Sequence, residues 1–324
     1  MNFKATAYPY GGGNSFVKDL ADYLKNYKDI KLTYALKGKI DIYLIIDIRQ
    51  GKYKKYSFEE ILNYKNHNPN GIIVSRINDS DSTRTNKSLE TKILENINHI
   101  DFLVFNSEFI RSYYLEKYSV LKTKPNLVIY NSSNSTFFYP KATSKLTSNR
   151  IKIVTHHWSD NINKGYELYY KLNTFCSKHE NFEFIFIGRK FNSDIEKGHD
   201  KIKVHGPYGK KELGEILRNC DVYVTASIND ACPMHVFEGI ACGLPILYIN
   251  KPGGGKDIPE LSKLKVGESF NDIDDLIVKL ELVVNNYNFY SKNILKNIHI
   301  YNSTKCFEDY TLLFRKLKEQ LTNP

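Results

Sequence analysis

The sequence predicts an α/β protein made of two doubly wound parallel sheets. Short β-rich runs alternate with longer helical patterns from end to end, a polar stretch breaks the alternation near the middle, and the alternation then restarts. The length of 324 residues suits two domains of roughly 150 residues each, both large enough to bury a core. In the first half, strands are expected at Phe3–Ala7, Lys31–Tyr34, Asp41–Ile46, Gly71–Ser75, Asp101–Phe105 and Asn126–Tyr130. Helical patterns lie between several of them, at Asn14–Tyr27, Ser57–Tyr64, Asn86–Asn98 and Ser107–Tyr118. The segment Pro140–Arg150 (PKATSKLTSNR) has almost no apolar content and reads as a linker. Beyond it come a strand at Ile151–Thr155, a helix at Lys164–Lys178, and strands at Phe182–Ile187, Ile202–His205, Val222–Thr225 and Pro245–Ile249. Two Rossmann-like domains are therefore expected, over residues 1–146 and 147–303. The last segment, about Thr304–Leu321, is amphipathic and fits against either. Sheets of this kind bind ligands at the carboxyl ends of their strands, and two facing domains would form a cleft there.

Composition narrows the function classes. Hydrophobic residues make up 41% and charged residues 25% of the chain, a globular balance that excludes a disordered or fibrous protein. The formal charge is +10. Residues 1–150 hold 23 Lys and Arg against 14 Asp and Glu, whereas residues 151–324 hold 23 against 22, so the basicity belongs to the first half. A negatively charged partner is expected near that half. Cys176, Cys220, Cys232, Cys242 and Cys306 form no CxxC pair and no zinc-like cluster, and read as free thiols of a reducing, cytoplasmic compartment. The N-terminal residues lack the apolar core of a signal peptide, and no run approaches the roughly 20 apolar residues of a spanning helix. Any membrane contact is expected to be peripheral.

Two motifs follow strands. Tyr10-Gly11-Gly12-Gly13-Asn14 joins the first expected strand to the first helix. Gly11, Gly12 and Gly13 would let backbone amides approach a ligand, and a helix start at Asn14 favours an anion. The spacing is neither a dinucleotide fingerprint nor a Walker loop, and an ordinary tight turn remains the alternative. The second motif, Asn229-Asp230-Ala231-Cys232-Pro233-Met234-His235-Val236-Phe237-Glu238-Gly239-Ile240-Ala241-Cys242-Gly243-Leu244-Pro245, is more specific. Pro233 signals a helix start, and Gly243 with Pro245 signals its stop. That places Glu238 on a short helix with Asp230 in the loop before it, where carboxylates can accept hydrogen bonds from hydroxyl pairs while the helix start near Met234 and His235 receives phosphate. A capping Asp and a buried Glu on an ordinary helix are the alternative.

Asp230-x7-Glu238 and Glu238-Gly-Ile-Ala-Cys-Gly-Leu-Pro245 resemble the Glu-x7-Glu donor signature of retaining GT-B glycosyltransferases, the glycosyl transferases group 1 type. The resemblance implies two Rossmann-like domains facing across a cleft, a C-terminal helix over 304–324 that returns to the first domain, and a nucleotide-diphosphate sugar as donor substrate. It gives Glu238 the nucleotide ribose and sets Asp230, shorter than the family's Glu, beside the donor sugar. Lys164-Gly165 matches the Lys-Gly that opens a helix in the family, which makes Lys164 a point charge for the donor diphosphate. The family's Arg about five residues earlier is missing. His156, His157 and Trp158 stand nearby, and Arg189 is the substitute candidate. Gly253-Gly254-Gly255 with Glu260 is similar to the family's Gly-Gly-x-x-Glu segment, which puts Gly254 and Gly255 near the sugar and phosphates, unless they form only a flexible loop.

The first domain departs from the family where a His would follow the fourth strand. Arg76, Asp79, Asp81 and Arg84 occupy that region, with Arg76 the candidate for a catalytic anion contact and the aspartates either orienting an acceptor hydroxyl or forming a turn. The expected reaction is sugar transfer to an acceptor hydroxyl with retention and without a metal, since no DxD follows a strand of the second domain. An epimerase on the same scaffold and a basic nucleic-acid-binding protein, for which Gly51-Lys-Tyr-Lys-Lys-Tyr56 offers a short motif, are the competing readings. The second leaves Asp230-x7-Glu238 unexplained. With the terminal helix assigned to the first domain, that side would carry about +10, which suggests an anionic acceptor such as a phospholipid-linked glycan or acidic polysaccharide.

Overall fold

The computed structural model describes all residues except 7–10, 50–54, 84–86, 142–145, 147, 160, 190–201, 323 and 324. The chain divides into two compact units, Met1–Asn131 with Lys305–Pro324, and Ser132–Thr304.

The first unit runs α1 (Gly11–Leu24), β1 (Ile42–Ile45), α2 (Phe58–Lys65), β2 (Ile72–Ile77), α3 (Leu89–Glu95), β3 (Phe102–Phe105), α4 (Glu108–Lys117) and β4 (Asn126–Val128). Its four strands are parallel, in the order β1-β2-β3-β4. The expected strands at Phe3–Ala7 and Lys31–Tyr34 do not form ladders among the described residues. The N-terminal segment is tied down by single bonds instead: the Met1 ammonium donates to Thr33 O at 3.0 Å and Asn2 N to Leu44 O at 3.2 Å. The Asn2 side chain, rather than neighbouring backbone, takes the next partners, accepting from Ile46 N at 2.9 Å and donating to Asp47 O at 3.0 Å. A side chain that replaces ladder bonds ends the ladder.

The second unit runs β5 (Ile151–His157), α5 (Tyr166–Lys178), β6 (Phe182–Gly188), β7 (Val204–His205), α6 (Lys210–Arg218), β8 (Val222–Thr225), α7 (Met234–Ala241), β9 (Ile246–Ile249), α8 (Gly254–Glu260), β10 (Gly267–Phe270), α9 (Ile273–Asn285), α10 (Tyr287–Lys296) and α11 (Ile298–Tyr301). All six strands are parallel, in the order β10-β9-β8-β5-β6-β7. In chain order within the unit this is the 3-2-1-4-5-6 arrangement of a Rossmann sheet, whose strand order reverses between β5 and β8. One core fills a face of this sheet with Ile153, Tyr169, Leu172, Val222, Val224, Leu247, Phe270, Leu276 and Leu280.

The last helix, α12 (Ser303–Thr322), puts Cys306, Phe307, Tyr310, Leu313 and Leu317 into the core of the first unit, against Phe16, Val17, Leu20 and Leu24 of α1 and the strand residues Leu44, Val74 and Val104. Both helices place apolar residues three and four apart, the spacing that makes one helical stripe. The division between units falls at Asn131–Ser132, ahead of the polar segment. Residues just beyond it bond into the second unit: Phe137 O accepts from Arg218 Nη1 at 2.8 Å, and Lys141 N donates to Cys242 O at 3.3 Å. Lys141, Lys145 and Arg150 thereby move to the second unit. The first unit carries 24 Lys and Arg against 17 Asp and Glu and the second 22 against 19, a net +7 and +3 in place of about +10 and zero.

Candidate functional site

The switch point of the second sheet lies between the carboxyl ends of β5 and β8, where a ligand has room because flanking connections leave on opposite faces. His156 and His157 end β5, and Thr225 ends β8. The polypeptide after β5 makes a 3-10 turn over Ile162–Lys164 and reaches Gly165, whose φ of 77° lies in the left-handed region. A methyl group on Gly165 would sit 2.4 Å from Ala226 O, so only glycine lets this segment press against the chain leaving β8. Ile228 N donates to Asn163 O at 2.8 Å across the same approach. The consequence is a direct ion pair between Lys164 Nζ and Asp230 Oδ2, with 19% of each side chain exposed. Two residues singled out separately in sequence are thus in contact.

Glu238 lies mid-way along α7, whose residues from His235 to Ala241 are all buried. Gly243, with φ 84°, and Pro245 end the helix as expected. A carboxylate this deep needs a partner. It finds His156, whose Nε2 is 2.7 Å from Glu238 Oε2. The other ring nitrogen, Nδ1, is 3.0 Å from the Tyr223 hydroxyl. Glu238 Oε1 has no hydrogen-bond partner among the described residues.

His157 and His235 pack beside this pair with ring centroids 4.5 Å apart. His157 Nε2 is 2.8 Å from the Tyr169 hydroxyl, and His235 Nε2 is 3.1 Å from Thr225 Oγ1. Burial, with nearby positive charge as a smaller cause, pushes both imidazoles well below their ordinary pKa, so both are neutral. They form a packed layer under the site. His157, a donor-side candidate because it stands near the place of the family's missing Arg, is 3% exposed, and its Nδ1 has no partner.

The remaining donor candidates lie around the same strand ends. Met234 opens α7 and is half-buried. Gly254 N donates to Asp230 O at 2.7 Å, which ties the start of α8 to the loop carrying the acid. A methyl on Gly255 would fall 2.6 Å from Ser227 O, so Gly254 and Gly255 are close-packing glycines in a helix and not a loose loop. Arg189 follows β6, is exposed, and its backbone N–H reaches His157 O at 3.4 Å. No ion pair holds its guanidinium among the described residues.

In the first unit, Gly11, Gly12 and Gly13 lie inside the first turn of α1, so the helix starts three residues earlier than expected. Asn14 therefore lies inside the helix and not at its start. Its Oδ1 accepts from Thr6 N at 2.8 Å and its Nδ2 donates to Thr6 O at 3.3 Å, fixing the incoming segment. Gly13 is open, with no atom within 4 Å of an added methyl. Arg76, on β2, is 4% exposed. Its guanidinium lies 4.0 Å over the Phe16 ring, and Nη2 donates to Asn131 Oδ1 at 2.6 Å. Its Nε and Nη1 have no partner. Asp81 accepts from Leu89 N at 2.9 Å and Glu90 N at 3.2 Å, so its carboxylate serves the start of α3. Arg84 and Gly51–Lys54 lie outside the described residues.

Sequence reasoning missed Tyr223 and gave His156 no partner. The signal for Tyr223 is Gly239, where a methyl would stand 2.5 Å from the Tyr223 ring, but a glycine in a helix does not say which side chain it accommodates. Among the described residues, no three His, Cys, Asp or Glu side chains group to hold a metal ion, and no helix is long and apolar enough to cross a membrane. All five cysteines are free and buried; burial pushes the thiols of Cys176, Cys220 and Cys242 up to about 12.

The family described as glycosyl transferases group 1 matches residues 150–298, nearly the whole second unit. No curated protein sequence matches the chain. Among solved structures, HepE of Anabaena, in complex with UDP and glucose, is similar over 96% of this chain and 85% of its own, at 12% identity and a TM-score of 0.61. The pneumococcal O-GlcNAc transferase GtfA, in complex with UDP and GlcNAc, matches 86% of this chain at 11% identity and a TM-score of 0.64, and the chain spans 57% of its length. A sucrose-phosphate synthase from Thermosynechococcus elongatus matches 76% of this chain and 68% of its own, at 16% identity and a TM-score of 0.60. At these identities the likeness is one of fold, and the fold is GT-B. Residues 150–298 thus match the glycosyl transferases group 1 family, within a chain whose fold is that of GT-B proteins.

Proposed function

We propose that this protein transfers a sugar from a nucleotide-diphosphate donor to an acceptor hydroxyl, with retention and without a metal. The observation that carries the reading is the convergence of Lys164, Asp230 and Glu238 at the switch point of the second sheet. The free Oε1 of Glu238 suits the ribose hydroxyls, which donate to a carboxylate. Lys164 suits the diphosphate. The barrier to transfer is departure of that diphosphate from an oxocarbenium-like sugar carbon, so a fixed positive charge beside it lowers the barrier. In this scheme the phosphate displaces Asp230 from Lys164, and the released Asp230 carboxylate stands next to the sugar. Met234 and His235, at the start of α7, add backbone N–H groups toward the phosphates, and Arg189, Gly254 and Gly255 border the same ligand. Arg76 and the Gly11–Gly13 turn serve the acceptor side of the reaction.

Thermal-shift screening against UDP-, GDP-, ADP- and TDP-sugars tests the donor assignment, because a ligand of the native state raises apparent stability. UDP-sugars come first, since the HepE and GtfA structures hold UDP. One donor should raise the melting temperature, and turnover with it should survive EDTA and give the donor's anomeric configuration. No shift with any donor, EDTA-abolished turnover or an inverted product would overturn the corresponding part of the reading.

The acceptor we propose is anionic, a polysaccharide or lipid-linked glycan, because the first unit is the more basic one at +7. Its apparent affinity should fall as salt rises from about 50 to 200 mM, a range over which screening shortens to roughly 10 Å and below. An acceptor KM indifferent to salt would sink that assignment.

A further inference from the structure

His156 is 1% exposed, at the next-to-last position of β5. Both ring nitrogens are committed. Nδ1 is 3.0 Å from the Tyr223 hydroxyl and Nε2 is 2.7 Å from Glu238 Oε2. The Tyr223 hydroxyl also accepts the backbone N–H of His156 at 3.3 Å. Burial holds the Tyr223 phenol far above its ordinary pKa, so it keeps its proton and has it to give. A carboxylate has no proton to give, so the Nε2–H donates to Glu238 Oε2, while the Tyr223 hydroxyl holds the ring from its Nδ1 side. Glu238, 6% exposed, has no other cation or N–H donor within bonding distance among the described residues. Its second oxygen is the one left over.

We propose that His156, oriented by Tyr223, is a positioning residue for the donor: it grips Oε2 of Glu238 and thereby turns Oε1 toward the ribose hydroxyls. This rests on the donor reading of Glu238 given above. Neither His156 nor Tyr223 touches donor. The arrangement also explains Gly239, since any side chain there would meet the Tyr223 ring at 2.5 Å and displace the hydroxyl that holds the His156 ring. A merely structural buried pair would hold up the fold without caring which nucleotide hydroxyls are present. A positioning role makes recognition of the ribose 2′-hydroxyl depend on His156.

The test is calorimetric titration of the full-length protein with UDP, GDP and ADP and with their 2′-deoxy forms, reading the ratio of deoxy to ribo Kd. The wild type should prefer the ribo form of one nucleotide by roughly ten- to a hundredfold, the size of one charge-assisted hydrogen bond. His156→Leu should bring the ratio close to one. His156→Gln should restore most of it, because the amide N–H can reach the carboxylate in place of Nε2–H. Tyr223→Phe, nearly isosteric and expected to fold if His156→Leu does not, should lower the ratio partway. A ratio unchanged in His156→Leu, or in Tyr223→Phe together with a His156→Leu that fails to fold, overturns the inference. Glu238→Ala separates the two levels. If it keeps the wild-type ratio, or if no ribonucleotide binds the wild type in preference to its deoxy form, the donor reading falls and the inference with it. If it abolishes the ratio while His156→Leu does not, the donor reading stands and only the inference fails.

Discussion

Glu238→Ala is expected to raise the Kd for the preferred nucleotide about a hundredfold, a loss of about 3 kcal/mol. The number follows from the bonds at stake: each hydrogen bond to a charged acceptor contributes about 1.5–3 kcal/mol, and a ribose offers two neighbouring hydroxyls. The mutation also leaves His156 Nε2 buried opposite a void, since the carboxylate 2.7 Å away is its partner. An orphaned buried donor costs about 1–3 kcal/mol, so the variant should melt below the wild type even without ligand. Glu238→Gln separates the two effects. It refills the space and keeps an acceptor oxygen, so stability should recover more than affinity. Isothermal titration and melting curves on the same preparations measure both quantities, and a nucleotide Kd within twofold of wild type in Glu238→Ala would remove Glu238 from the ribose.

Lys164→Ala is expected to lower kcat by about 10²–10³, or roughly 3–4 kcal/mol, with a smaller change in donor KM. A charge that meets the diphosphate only weakly in the ground state, because Asp230 competes for it, gains most as the leaving group becomes more negative. Stability should hardly move. The Lys164–Asp230 pair is 19% exposed on each side, and pairs within reach of water contribute about 1 kcal/mol or less. A large kcat loss in a protein that melts normally is therefore the expected signature, read by steady-state kinetics beside a thermal melt. Equal losses in kcat and in melting temperature would mean that the lysine only props the loop.

The second unit was far more legible in the sequence than the first, for physical reasons visible at individual residues. Val222–Thr225 forms a strand over the residues expected, because a short β-branched run buried on both faces has few other options. The helix holding Glu238 starts and stops at its Pro and Gly signals. In the first unit, Lys31–Tyr34 has the alternation of a strand but lies outside any ladder among the described residues, and the expected strand at Phe3–Ala7 gives way to single bonds and the side-chain bonds of Asn2. Local pattern does not reveal which edge a sheet will leave unpaired. The candidate site divides in the same way. Lys164 and Asp230 were each legible from local motifs, although their contact spans 66 positions. The bond from His156 to Glu238 spans 82 positions and that to Tyr223 spans 67, and nothing local to His156 marks either. Arg76 was legible as unusual and not as buried, since a cation inside a strand is ordinarily solvated and here stacks on Phe16.

The placement of α12 bears on the order in which the protein takes shape as it leaves the ribosome. The first unit needs Cys306, Phe307, Tyr310, Leu313 and Leu317 to close its core, and these are made only after the whole of Ser132–Thr304. The unit spanning Ser132–Thr304 is continuous in the chain. Domains usually complete in the order of synthesis; here the first unit can be completed only after the second has been made. Until then, the apolar stripe of α1 lacks the α12 residues that cover it, which makes the nascent first unit the stage most exposed to aggregation and to chaperones.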